Sequence, residues 1–187
     1  MKNVIKKFKG VVDDETCDLL IKHIEDNIDT CMDLDWNTEI HNNCICKQMY
    51  LEQQSNLDTR VFNVINNVIN KYADLNPYFY ANGDSGYALR KISGKTKLHY
   101  DDIFGGPTYG NALRTISIIL GLNSDYKKGA FHFPEQNFTT TLKRGEAIAF
   151  PVYFMYPHEV EEPVGFRYTI NTWVTHDNSS VHPSRDA

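Results

Sequence analysis

Cysteine is scarce in this chain, with four in 187 residues, and its spacing is uninformative. Cys44 and Cys46 form a C-x-C in NCICK with no second pair downstream, while Cys17 and Cys31 stand alone. That is a poor pattern for structural zinc or for a disulfide framework, so the expectation is four reduced thiols, partly buried. Positive charge is in short supply too. Against 24 Asp and Glu the chain has 19 Lys and Arg, a formal net charge of -5. This gives no electrostatic footprint for a phosphate backbone and disfavours nucleic acid as a partner. No hydrophobic run reaches membrane-spanning length, and MKNVIKKFKGVVDDE lacks the apolar core of a signal peptide. A cytoplasmic protein with no membrane partner is expected. Repeats and low-complexity stretches are missing as well.

What is present is ordinary globular composition, 41% hydrophobic and 23% charged, in a length suited to one core. The spacing of Cys17, Leu20, Ile21, Ile24 and Ile28 predicts a helix over 13–28, with Asp13 or Asp14 as N-cap. Leu57, Val61, Val64, Ile65, Val68 and Tyr72 predict a second over 55–72, where Ser55 and Asp58 resemble a capping box. His23 lies off the first apolar stripe and is expected in solvent. Segment 31–54, with Trp36, His41 and Tyr50, has no clean period and reads as a flap or an irregular strand pair. From residue 86 the texture changes to short β-branched and aromatic runs between turns. These are GYALRKI, KLHYDDIF, ALRTISIILGL, GAFHF, FTTTL, EAIAF, FMYPHEV and FRYTINTWV. Eight such strands suit a mainly β jelly roll, or double-stranded β-helix, with the helices covering one sheet from outside. The expected organisation is one domain over 1–187: a helical buttress and flap over 1–85, a jelly-roll core over 86–175, and a flexible tail over 176–187 containing His176 and His182. NSDYKKG reads as a turn, and DDIFGGPTYGN has glycines that suit a lid.

In KLHYDD, residues two apart on a strand share a face, so His99 and Asp101 are placed together and Asp102 away from them. Two residues leave a metal pair, a hydrogen-bonded pair and a plain surface pair all open. The candidates for a third ligand are His132, alternating with Phe131 and Phe133, and His158 in YPHEV. The second and seventh strands of a jelly roll are spatial neighbours, which brings His158 toward His99 and Asp101. Two imidazoles and one carboxylate on one face of a metal suit non-haem Fe(II), with catalytic zinc as the chemical competitor. Arg167 opens the eighth strand, expected beside the strand of His158, and shares a face with Thr169, Asn171 and Trp173. Its fork of donors suits a dicarboxylate such as 2-oxoglutarate, with Thr169 or Asn171 assisting. Trp173 itself is expected first in the core, with substrate contact as the alternative.

The combination of H-Y-D at 99–101 with HEVEEPVGFRYTINTW at 158–173 resembles the 2-oxoglutarate and Fe(II)-dependent dioxygenases of the prolyl 4-hydroxylase type. LRTISIILGLNSDYKKGAFHFPE and LKRGEAIAFP are similar to that family's intervening segments, so the resemblance spans roughly residues 85–175. It implies His99, Asp101 and His158 as iron ligands and Arg167 as the residue that binds the side-chain carboxylate of 2-oxoglutarate. Collagen-type members use lysine one position later, where this chain has Tyr168. A family tyrosine before the LN turn is replaced by Ile118-Ile119-Leu120-Gly121, for which Asn171 or Tyr87 is the expected substitute. A tyrosine before the glycine of the HxD strand is replaced by Lys91. The implied cofactors are Fe(II), 2-oxoglutarate as cosubstrate, O2 and ascorbate. The implied reaction is hydroxylation of a C–H bond, first of all in a prolyl residue of a peptide or protein, with succinate and CO2 as co-products. A free amino acid or other small molecule is the alternative substrate. A zinc hydrolase on the same ligands and a non-catalytic carboxylate-binding module are the other readings. Oligomeric state is not assigned.

Overall fold

Asp13 caps the first helix as its sequence suggests, accepting from Thr16 N at 2.7 Å. In a computed structural model that describes residues 4–34, 45–101 and 113–176, the elements follow in chain order. They are β1 (Lys6–Phe8), α1 (Asp14–Asp26), β2 (Met32–Asp33), β3 (Ile45–Tyr50), α2 (Asn56–Leu75), β4 (Gly83–Asp84), β5 (Ala88–Ser93) and β6 (Thr96–His99). Then come β7 (Leu113–Gly121), β8 (Lys127–Lys128), β9 (Phe131–Phe133), β10 (Phe138–Thr140), β11 (Ala147–Pro151), β12 (His158–Val160), β13 (Pro163–Val164) and β14 (Arg167–His176). At the start of α2, Ser55 accepts from Asp58 N at 3.1 Å. The Asp58 carboxylate takes the Gln54 N–H at 3.0 Å, one residue outside the reciprocal bond of a Glu-containing capping box.

The fold is a mainly β jelly roll. The large sheet runs β1-β11-β7-β14-β5-β3-β2, with β4 on β14, and the small sheet runs β10-β9-β12-β6. Alternation along the strands divides the apolar residues into two layers. Ile116, Ile118 and Leu120 join Leu20, Ile24, Val61 and Ile65 between the large sheet and the helices. Ile119, Ile148 and Phe150 point the other way and meet Phe131 and Phe133 between the two sheets. Ala147 and Ala149, small residues on the helix side of β11, lie in the first layer.

Of the two readings of segment 31–54, its described residues form the strand pair: β2 and β3 pair antiparallel and extend the large sheet through β5. Three other expectations need correcting. Trp36, His41 and Cys44 lie outside the described residues, as do Asp102 and the DDIFGGPTYGN stretch beyond Asp101. Lys127 and Lys128, read as a turn, pair with Val164 and Pro163 in a small ribbon. His176, assigned to a tail, ends β14 opposite Leu113, and its ring lies 5.3 Å from that of Tyr80; 177–187, with His182, lie outside the described residues. Finally, β14 is not beside β12. It pairs with β5 and β7 in the large sheet, because successive jelly-roll strands alternate between the two sheets. Among the described residues no helix is long and apolar enough to cross a membrane.

Candidate metal and cosubstrate site

The second and seventh strand runs do meet: β12 pairs with β6, with His158 opposite His99. Register shifts between His158 and Val160, whose partner is Thr96. This β-bulge in β6 puts Thr96 and His99 on the same side although they are three positions apart. The two imidazoles lie with centroids 4.4 Å apart. Each ring holds its Nδ1 near the carbonyl two residues earlier, His99 on Lys97 O at 2.8 Å and His158 on Tyr156 O at 3.3 Å. A carbonyl only accepts, so both Nδ1 atoms carry the proton, and in the neutral ring it is Nε2 that keeps the lone pair.

Asp101 lies beyond the end of β6, so strand alternation alone does not place it. The opposing sheet does. Ser117 Oγ on β7 donates to Asp101 Oδ2, and Arg114 Nη1 donates to Asp101 O at 3.1 Å. Oδ1 then faces His99 Nε2 at 3.4 Å and His158 Nε2 at 3.9 Å. One ligand atom from each of the three residues lies within 4.8 Å of the others. Burial works to raise the Asp101 pKa, but the His99 hydrogen bond, the histidine charges and the Ser117 hydroxyl outweigh it and hold the carboxyl well below its usual range. Burial pulls both imidazoles down. For His99 the Asp101 carboxylate more than offsets this and the net shift is upward; for the more deeply buried His158 the net shift is downward. An anionic carboxylate and two nitrogen lone pairs on one side of a cavity are a donor set that fits Fe(II), with open positions for a second ligand.

That cavity, of about 300 Å³, is lined among others by Arg90, Ile92, Arg114, Arg167, Asn171 and Trp173. Arg167, only 4% exposed, enters it from the large sheet, across the sandwich from the histidines. Its guanidinium carbon sits 5.0 Å from the Phe131 ring. A buried guanidinium in a cavity suits the distal carboxylate of a dicarboxylate ligand. Asn171 lines the same space, and its Oδ1 accepts from Thr169 Oγ1 at 2.7 Å. Thr169 therefore orients Asn171 and is not itself among the residues that line the cavity. Tyr87 is a clear correction. It belongs to the helix-side layer, and its hydroxyl donates to Asp84 Oδ2 at 2.8 Å, since odd positions of this stretch of β5 point away from the cavity. Lys91, on that same outer side, pairs with Glu25. His132 is excluded likewise, turned to the outer face with Nδ1 3.0 Å from Thr139 Oγ1.

Sequence reasoning missed Arg90, Arg114 and Ser117 and placed Trp173 in the core. Arg90 was legible, since it alternates with Ile92 on the face of β5 opposite Leu89. Arg114 was not. By simple alternation it should join Ile116 and Ile118 against the helices. On β14, however, Val174 pairs with Ile116 and Thr175 with Arg114, so Thr115 is the extra residue of a bulge and Arg114 turns inward. There it stacks 4.0 Å from the Trp173 ring.

The sequence model of the 2OG-Fe(II) oxygenase superfamily matches residues 86–175. No curated protein matches the chain in sequence. Among solved structures, a viral collagen prolyl hydroxylase from Paramecium bursaria Chlorella virus-1, in complex with 2OG, aligns with a TM-score of 0.67 at 14% identity, covering 94% of this chain and 98% of that one. A Pseudomonas putida prolyl-4-hydroxylase aligns at 0.70 and 11% identity, with 94% of each chain covered. A Trichoplax adhaerens prolyl hydroxylase, in complex with a hypoxia inducible factor peptide fragment, aligns at 0.70 and 12% identity, over 92% of this chain and 84% of that one. Likeness at these identities establishes the shared fold.

Proposed function

We propose, for a chain whose residues 86–175 belong to the 2OG-Fe(II) oxygenase superfamily, the hydroxylation of a C–H bond in a prolyl residue of a peptide or protein. The class is that of an Fe(II)- and 2-oxoglutarate-dependent dioxygenase. The observation that carries the reading is one cavity with His99, Asp101 and His158 on one wall and the buried Arg167 on the other. In this reading His99 Nε2, Asp101 Oδ1 and His158 Nε2 hold the iron. Arg167, with Asn171 beside it, holds the distal carboxylate of 2-oxoglutarate. Bound Fe(II), with 2-oxoglutarate and O2, supplies an oxidant able to hydroxylate an unactivated C–H, with succinate and CO2 as co-products.

The protein's own work is positional. The carbonyls of Lys97 and Tyr156 fix the imidazole tautomers, and Ser117 fixes the carboxylate. Ile119, Phe131 and Val160 supply apolar lining that limits water at the reacting centre. Prolyl specificity draws support from the structural neighbours, which are prolyl hydroxylases, one of them seen with a peptide. The test is anaerobic reconstitution with Fe(II) and 2-oxoglutarate, followed by O2 and a panel of prolyl peptides and free amino acids. Succinate formation coupled to a +16 Da prolyl product is expected. Iron binding with a +16 Da product on a free amino acid alone would overturn the peptide substrate; activity without O2 or 2-oxoglutarate would overturn the oxygenase chemistry.

A further inference from the structure

The two histidines of the candidate triad are held in different ways. His99 Nδ1 meets Lys97 O at 2.8 Å, whereas His158 Nδ1 meets Tyr156 O at 3.3 Å, just beyond the usual range of a hydrogen bond. What encloses His158 is aromatic. Phe133 stacks on its ring with centroids 5.2 Å apart and planes at 29°, and Phe150 meets it at 4.6 Å and 65°. The two phenylalanines contact each other at 5.0 Å and 69°, so together they form a corner that the imidazole fills. All three residues are buried. The two rings come from different sheets. Strand β9 lies beside β12, where Glu159 pairs with His132, and one step along that antiparallel register brings Phe133 next to His158. Phe150 comes from β11 of the large sheet, where its cross-strand partner is Ser117 of β7. Ser117 is also the residue whose hydroxyl donates to Asp101 Oδ2.

We infer that Phe150 and Phe133 are positioning residues of the metal site: their corner fixes the His158 ring so that Nε2 faces Asp101 Oδ1. None of the three proposed ligands lies on the large sheet. Its cross-strand pair of Ser117 and Phe150 nevertheless bears on two of them, the first on the Asp101 carboxylate and the second on the His158 ring. The inference rests on the metal-site reading above and adds residues to it. Aromatic pairs prefer offset-stacked and edge-on geometries, so the phenylalanines hold the imidazole at an angle as well as bury it. A leucine in either place keeps apolar bulk and loses the flat face or edge that sets that angle.

The experiment has two arms, Co(II) titration and imidazole NMR of the metal-free protein at a pH where both imidazoles are neutral. Phe150→Leu and Phe133→Leu should each weaken Co(II) binding roughly two- to tenfold, the worth of one such aromatic contact. Two controls remove core packing without touching the corner on His158. Phe138, on β10, is separated from β12 by β9 and meets Phe133 at 6.1 Å, and Ile65 lies in the helix-side layer. Phe138→Leu and Ile65→Ala should lower stability and leave Co(II) affinity unchanged. In the long-range proton–nitrogen spectrum of the wild-type protein, His158, assigned by its loss in His158→Gln, should give one sharp ring protonated at Nδ1. Phe150→Leu and Phe133→Leu should broaden or double that signal. Unchanged Co(II) affinity in both leucine variants overturns the inference, and so does an equal loss in the two controls, which would reduce the corner to general packing. A broadened or doubled His158 ring in the wild-type protein overturns it without recourse to a variant. A single sharp ring in a wild-type protein that binds no Co(II) leaves the restraint on His158 standing and sinks the metal-site reading instead.

Discussion

The two oxygens of Asp101 have different neighbours. Oδ2 accepts from Ser117 Oγ, and Oδ1 faces the two imidazoles. Ser117 therefore holds the carboxylate in one orientation and leaves one oxygen for a metal. Outer partners of this kind typically govern 10- to 100-fold in metal affinity. Ser117→Ala is expected to weaken Co(II) or Fe(II) binding by about that factor, and Ser117→Thr to restore most of it, in a direct metal titration. Replacing His99, Asp101 or His158 by Ala removes a proposed ligand, and each change should abolish stoichiometric metal binding while circular dichroism stays native. Retained stoichiometric binding in all three would count decisively against the site.

At the scale of elements, the helices stabilise the large sheet from outside. Val61, Ile65, Val68 and Tyr72 form the buried stripe of α2, and Ile65 is fully buried. Ile65→Ala should cost about 2–5 kcal/mol, read by chemical denaturation, without changing metal stoichiometry in the folded protein. Helix α1 is also tied to the sheet by charge. Glu25 Oε1 lies 2.8 Å from Lys91 Nζ on β5 and accepts from Tyr168 Oη on β14 at 2.6 Å. Burial raises the Glu25 pKa, but the bonds from Lys91 and Tyr168 outweigh it and the net shift is downward. A folded-state pKa below the unfolded one means that the contribution is full above the ordinary glutamate range. It is lost as pH falls from there through the depressed value. Because the pair is partly exposed, Glu25→Gln should cost only about 0.5–1 kcal/mol near neutrality. The gap between the two proteins should close at strongly acid pH, in urea melts run across that range.

For the molecule as a whole, the site lies between two sheets, and its ligands come from both. The histidines belong to the small sheet, and Arg167, Asn171 and the residues that hold Asp101 belong to the large one. Ligands that join the sheets stabilise the folded state by mass action. Mn(II) and 2-oxoglutarate, each at about a hundredfold over its dissociation constant, should together raise stability by about 5 kcal/mol if their effects add. For a chain of this size that is roughly 10–20 °C in a thermal melt. Arg167→Ala should lose the cosubstrate's share and keep the metal's. A melt that does not move with either ligand in the wild-type protein would contradict the assignment.

Local pattern carried much of this protein. Both helices and their caps could be read because the side-chain period of 3.6 and the capping chemistry act over a few residues. Each of the eight strand runs contains a strand, and the His99–His158 pairing follows from strand order. His99, Asp101, His158 and Arg167 could be singled out as candidates only in combination, since no one of these residue types fixes the chemistry by itself. What the sequence could not supply is anything fixed by contacts across the sandwich or by a break in alternation. Arg167 faces the histidines from the opposite sheet. Asp101 is placed by Ser117 and Arg114 and not by its own strand, and Arg114 reaches the cavity only because Thr115 bulges. Trp173 and Tyr87 exchanged their expected places, the first lining the cavity and the second joining the helix-side core. A one-residue slip in a ladder reverses which face a side chain occupies, and only the tertiary pairing decides where that slip occurs.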